Sequence, residues 1–140
     1  ILRLLTPLII SLPHGNSLTI AITGSSQGIG LDAAKRLLTA GHTVIHCCRN
    51  QDRATIAVTE SGGGTPLVCD LSSFDSIRAS AQTLITEAPT LDVLCLNAGV
   101  APSTKADVPQ LTKEGYEECV GVNHLGHFLL ANLLRDHMGE

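Results

Sequence analysis

Glycine recurs through Thr23-Gly24-Ser25-Ser26-Gln27-Gly28-Ile29-Gly30, and this run is the part of the sequence best suited to chemistry. Glycine admits positive φ and lets the backbone approach a ligand closely, so bare N–H groups and a helix N-terminus can be brought up to a pyrophosphate. That is the task expected of Gly24, Ser25, Ser26, Gln27, Gly28, Ile29 and Gly30; the alternative is a tight turn that binds nothing. No Gly-Lys-Ser/Thr follows, which excludes a P-loop. A second candidate is Arg49 in Cys48-Arg49-Asn50. NAD-selective folds set an acid at such a strand end to hold the ribose 2′-hydroxyl, and NADP-selective ones set an arginine near the 2′-phosphate. A guanidinium can grip a phosphate bidentately, so NADP(H) is expected in preference to NAD(H), the alternative being a solvated arginine. His124 and His127 are spaced to share one side of a helix, but the sequence sets no third ligand beside them. Helix packing is therefore expected, and no metal.

These residues need elements to position them. Leu18 to Thr23 is apolar and β-branched, and Ile29, Ala33 and Leu37 recur at helical spacing up to a stop at Gly41. Thr43 to Cys48 repeats the strand signal, Gln51 to Ser61 forms a weaker helix, and Gly62-Gly63-Gly64 turns into a third apolar run, Pro66 to Cys69. Ser72 and Asp75 resemble a capping box. Ile77, Ala81, Leu84 and Ala88 follow along one helix face, which ends near Pro89 ahead of a fourth strand, Leu91 to Leu96. After a polar loop from Pro102 to Gln110, Thr112 is expected to cap a long helix with Tyr116, Val120, Asn123, His127 and Leu130 along one side. Apolar strands separated by helices mean a parallel sheet covered on both faces, a doubly wound α/β chain.

With 140 residues, 44% of them apolar, the chain fits one domain whose core forms without disulfide or metal. Only 16% are charged and the net charge is -4, which excludes nucleic-acid binding. Five cysteines without a Cys-x-x-Cys read as buried, reduced thiols of an intracellular protein, with cytoplasm and organelle unresolved. Residues 1–17 read as an apolar extension or the remnant of a targeting or anchor segment, leaving membrane association open. Residues 18–140 read as an incomplete dinucleotide-binding domain.

Four stretches, Thr23 to Gly30, Cys69-Asp70-Leu71, Asn97-Ala98-Gly99 and Val122-Asn123-His124-Leu125-Gly126-His127-Phe128, resemble successive motifs of the short-chain dehydrogenase/reductase family. The last is most similar to the branch of retinol dehydrogenases and protochlorophyllide reductases. The resemblance covers about Leu18 to Leu134. It implies a Rossmann-type sheet, truncated here after the fourth strand and its following helix. It also implies that Asp70, with Leu71 beside it, contacts the adenine, that Asn97, Ala98 and Gly99 lie along the cofactor ribose, and that Asn123 is the catalytic asparagine of the family's Asn-Ser-Tyr-Lys set. Read without the resemblance, Asp70 could be a helix cap, Asn97-Ala98-Gly99 a strand-ending turn and Asn123 a backbone-bonded helix residue.

The chain departs from the family's pattern in lacking the Ser and the Tyr-x-x-x-Lys. Tyr116 is its only tyrosine, and Val120 rather than lysine stands four residues on. The expected parent is an NADP(H)-dependent oxidoreductase acting on a small carbonyl, alcohol or conjugated substrate, with residues 1–140 inactive alone. The competing reading is a non-catalytic dinucleotide sensor or scaffold. Homo-oligomerisation through the long helices fits the apolar stretch Asn123 to Leu134, although a buried core face has the same pattern.

Overall fold

In the computed structural model, which describes residues 17–88, 90–101 and 108–138, four strands form one parallel sheet. They are β1 (Thr19–Thr23), β2 (Thr43–Cys48), β3 (Thr65–Val68) and β4 (Val93–Cys95), in the order β3-β2-β1-β4. Between them run α1 (Gly28–Thr39), α2 (Gln51–Ser61) and α3 (Phe74–Glu87). After β4 come α4 (Glu118–Val120), a π-helical turn (Gly121–Gly126) and α5 (His127–Leu134). This is the expected doubly wound, Rossmann-type α/β architecture. The apolar stretch at 1–16 and most of the polar loop lie outside the described residues. No helix among the described residues is long and apolar enough to cross a membrane.

β1 and β2 are mostly apolar, His46 and the threonines apart, because both their faces are covered. Ile20, Ile22 and Val44 pack with Ala34, Leu37 and Leu38 of α1, whereas the alternating Ala21, Ile45 and Cys47 pack with Ile77, Ala81 and Leu84 of α3 and with Leu130 and Leu134 of α5. The side-chain period of two divides the strands between these layers. The expected α3 face of Ile77, Ala81, Leu84 and Ala88 is buried. β3 and β4 pair on one side only and are short, so each starts one or two residues away from its expected position. Gly41 ends α1 as expected: at φ +87°, its N–H bonds Leu38 O at 3.0 Å, and His42 N–H bonds Leu37 O at 3.0 Å.

Two expected helix starts are corrected. The cap of α3 is Ser73, which accepts from Ser76 N–H at 3.4 Å, rather than Ser72, whose hydroxyl donates to Asp70 Oδ1 at 2.7 Å. Asp75 pairs with Lys113 at 3.4 Å instead of closing a capping box. Thr112 caps no helix: its N–H bonds Tyr116 O at 2.7 Å and its Oγ1 accepts Tyr116 N–H at 3.2 Å, closing a turn through Gly115 at φ +86°. The helix starts at Glu118, where the Glu117 carboxylate accepts from the N–H groups of Cys119 and Val120 at 3.0 and 2.9 Å. Those bonds hold the Glu117 carboxyl below its ordinary pKa. The π-helical turn then rephases the chain, because i→i+5 bonding breaks the 3.6-residue period. Tyr116 precedes the helix, Val120 and Asn123 are exposed, and the buried side is Val122, Gly126, His127, Leu130 and Leu134 rather than the expected one.

Candidate functional site

The carboxyl ends of the strands open into a cleft of about 630 Å³. Ligands of open α/β sheets bind at such ends, where the strand order reverses, here between β1 and β4. Three glycines of the first loop serve three purposes. A Cβ on Gly24 (φ +68°) would come within 2.8 Å of Ala98 Cα, so this glycine lets the β1 and β4 loops touch. On Gly30 it would meet Asn97 Nδ2 at 2.5 Å and Gly24 O at 2.7 Å, so this one lets α1 close on the loop. At Gly28 (φ +56°) nothing lies within 4 Å, and the backbone faces open space lining the cleft.

Thr23 joins the loops. Its Oγ1 accepts the N–H groups of Asn97 and Ala98 at 2.9 and 3.0 Å, while Asn97 Nδ2 donates to Thr23 O at 2.9 Å. Asp70 closes a turn by accepting Ser72 N–H at 3.0 Å and the Ser72 hydroxyl on one oxygen, Oδ1. Asn123 grips Val100 at two points: Oδ1 accepts Val100 N–H at 2.8 Å and Nδ2 donates to Val100 O at 2.9 Å.

The cleft gathers Gly24, Ser26, Gln27, Gly28, Ile29, Gly30, Arg49, Asp70, Leu71, Asn97, Ala98 and Gly99 on its walls. Two expected residues are not on them. The Ser25 side chain is wholly buried, bonded to His46 Nδ1 at 3.0 Å. Asn123 lies behind the Asn97–Val100 arm, its carboxamide committed to Val100. His127 is buried between Thr23 Oγ1 (2.9 Å) and Asn123 O (3.1 Å), and His124 stacks on Phe128 with centroids 6.4 Å apart. His127 is a bonded core residue, whereas His124 lies on the surface. Of the cysteines, Cys47, Cys48 and Cys69 are buried and line the cleft floor; Cys95 and Cys119 are only half-buried, against expectation. Burial pushes the Cys47, Cys48 and Cys69 thiols upward, so they remain thiols at neutral pH and act as small apolar lining.

The sequence reading missed Arg53. It lines the cleft with Arg49 and donates to Gln27 Oε1 at 3.0 Å, joining α2 to the glycine loop. The available signal was Asn50, whose side chain caps α2 by accepting Arg53 N–H at 2.9 Å and so brings Arg53 into the first turn beside Arg49.

His46, also missed, is wholly buried in β2, and burial holds its pKa below the ordinary 6.5, against the opposing Gly63 bond. The unfolded chain therefore takes up this proton first as pH falls. The His46 contribution to stability is present above about pH 6.5 and erodes as pH falls toward the lower folded value. Between about pH 7 and about pH 5, the urea midpoint of the wild type should fall more steeply than that of His46→Leu; parallel curves would refute this.

A loop built to bare its backbone at the carboxyl end of a parallel sheet, with arginines beside it, defines a nucleotide-binding α/β protein. Residues 18–140 match the family model for short chain dehydrogenase, and the chain belongs to that family of oxidoreductases, which have an NAD(P)-binding fold. It is 44% identical over 141 residues to retinol dehydrogenase 14 of Mus musculus, an alignment covering 88% of this chain and 40% of the relative. It is 42% identical over 125 residues to a chloroplastic protochlorophyllide reductase of Chlamydomonas reinhardtii, covering 86% and 31%. The chain thus spans 40% or less of these relatives. Among solved structures, a Mycobacterium paratuberculosis protein superposes with TM-score 0.74 at 34% identity, covering 86% of this chain and 42% of that one. A 3-ketoacyl-(acyl-carrier-protein) reductase from Brucella melitensis, complexed with NADH, superposes with TM-score 0.70 at 27% identity, covering 86% and 49%.

Proposed function

We propose that the full-length protein is an NADP(H)-dependent oxidoreductase that moves a hydride between nicotinamide C4 and a carbonyl/alcohol pair or a conjugated double bond. The observation that carries the cofactor preference is the pair Arg49 and Arg53 lining the cleft, with no carboxylate in Cys48-Arg49-Asn50 at the end of β2. The Brucella neighbour holds NADH, so this preference rests on the arginines and not on likeness. The bound nicotinamide supplies or accepts the hydride.

The chain's own residues bind and orient. Gly24 to Gly30 present N–H groups to the pyrophosphate, Arg49 and Arg53 take the 2′-phosphate, and Asp70 beside Leu71 meets the adenine. Asn97, Ala98 and Gly99 follow the ribose. Asn123 fixes that arm through Val100. Residues 18–140 act as the dinucleotide-binding unit.

Titrating the full-length protein with both cofactors tests the reading. NADPH is expected to bind more tightly than NADH, and equal affinities would remove the preference. Residues 1–140 on their own should give no NADPH oxidation on a simple aldehyde. Their single tyrosine, Tyr116, packs on Phe74 at 5.9 Å and has no lysine four residues on. A positioned acid is worth roughly 10²–10⁴-fold in rate, and substrate orientation more. A measurable rate from that chain alone would overturn the assignment.

A further inference from the structure

Beneath the glycine loop, β2 carries a polar residue where the strand is otherwise apolar. His46 is wholly buried, on the same side of the strand as Val44 and Cys48. Its Nε2 lies 3.0 Å from Gly63 O and its Nδ1 3.0 Å from Ser25 Oγ. A carbonyl only accepts, so Nε2 carries the proton. The neutral ring then has a bare Nδ1, which accepts the Ser25 hydroxyl proton. Ser61 Oγ, 3.1 Å from Nε2, has Gly63 O at 3.0 Å for its own proton and can share Nε2–H as an acceptor.

The turn is shaped to the ring. A Cβ on Gly64 (φ +93°) would come within 2.6 Å of His46 Nε2 and 2.8 Å of Val44 O. Gly62 ends α2 in the left-handed region at φ +85°. An apolar side chain at position 46 would escape the desolvation that a buried imidazole suffers. What the histidine adds is a hydrogen-bonded link from the α2–β3 turn, through the sheet, to the second residue of the glycine loop.

We propose that His46 is a positioning residue for the dinucleotide loop: its neutral, Nε2-protonated ring fixes Ser25 from beneath and so holds the Ser26–Gly28 backbone toward the pyrophosphate. This rests on the reading of the cleft as a dinucleotide site. Nothing about the ligand enters the first test, which is nitrogen-15 NMR of the imidazole in the full chain at neutral pH. The expected result is a protonated Nε2 and a bare Nδ1; the opposite tautomer, or an imidazolium, overturns the proposal.

The second test is NADPH titration of His46→Leu, Ser25→Ala and the double variant. Each single change should weaken binding about fivefold to tenfold, the worth of one net hydrogen bond. Because both residues act through one bond, the double variant should lose no more than about twofold beyond either single change. Unchanged affinity in the single variants, or losses that multiply in the double, overturns the proposal. Should His46→Leu fail to fold, Ser25→Ala, a change of one buried hydroxyl, decides the affinity question alone. If the wild type binds neither NADPH nor NADH, the reading of the cleft fails and the proposal with it. Wild-type binding with unaffected variants removes this proposal alone.

Discussion

Gly28→Val is expected to weaken dinucleotide binding by on the order of a hundredfold or more while leaving a folded protein. Two effects are combined in this substitution. At φ +56°, any L side chain strains the backbone by roughly 1–2 kcal/mol. The space around the missing Cβ is empty, so a branched side chain meets no protein atom and instead occupies the volume through which a pyrophosphate reaches the loop. Gly41→Val separates the two. Gly41 sits at φ +87°, also with nothing within 4 Å, but at the far end of α1. Both variants should lose similar stability in urea, and only Gly28→Val should lose affinity in a cofactor titration. Undiminished affinity in Gly28→Val would mean that the loop is merely a turn.

Which parts of the fold were legible follows from how many sides of an element are buried. β2 matches its expected span, Thr43–Cys48, and β1 differs by one residue, because both are paired and covered on every side and so carry near-continuous apolar runs. β3 and β4 pair on one side only, and the flanking apolar residues Leu91, Leu96 and Cys69 pulled their expected ends outward. The cap of α3 was misread by one residue because Ser72 and Ser73 are chemically identical. Only the Asp70 carboxylate, which takes the Ser72 hydroxyl, decides between them. The π-helical turn left no trace in a period of 3.6. Its glycines mark close approaches that are tertiary facts: Gly121 against the Thr112 methyl and Gly126 against Leu71 O.

The site divides in a similar way. The glycines of the first loop, Gly24, Gly28 and Gly30, were legible because positive φ at Gly24 and Gly28 and close approaches at Gly24 and Gly30 leave no room for another residue type. Residues that act through a neighbour were not. Asn123 looks like a group offered to substrate, yet its carboxamide closes on Val100. Ser25 reads as part of the phosphate loop, yet its hydroxyl turns down to His46. In each case the side chain's partner lies more than twenty residues away in sequence, and spacing cannot reveal it.

Arg49→Asp should reverse the cofactor preference, weakening NADPH by about a hundredfold or more while leaving NADH unchanged or slightly tighter. A carboxylate at this strand end repels a 2′-phosphate and can accept a hydrogen bond from a 2′-hydroxyl, the arrangement of NAD-selective sites. Arg53 limits the effect. It remains on the cleft wall, oriented by Gln27 Oε1 at 3.0 Å, so some phosphate affinity survives in the single variant. Arg53→Ala alone should therefore weaken NADPH less than Arg49→Asp does, and adding Arg53→Ala to Arg49→Asp should weaken NADPH further while leaving NADH little changed. Arg49 is exposed and Arg53 half-buried, so an NADPH advantage that rests on their pairing with a 2′-phosphate should shrink as salt is raised from about 0.05 M to about 0.5 M, whereas NADH affinity should change less. Calorimetric titration with each cofactor reads all of these quantities. Equal weakening of NADPH and NADH by Arg49→Asp would mean that Arg49 supports the cleft as a whole and reads no phosphate.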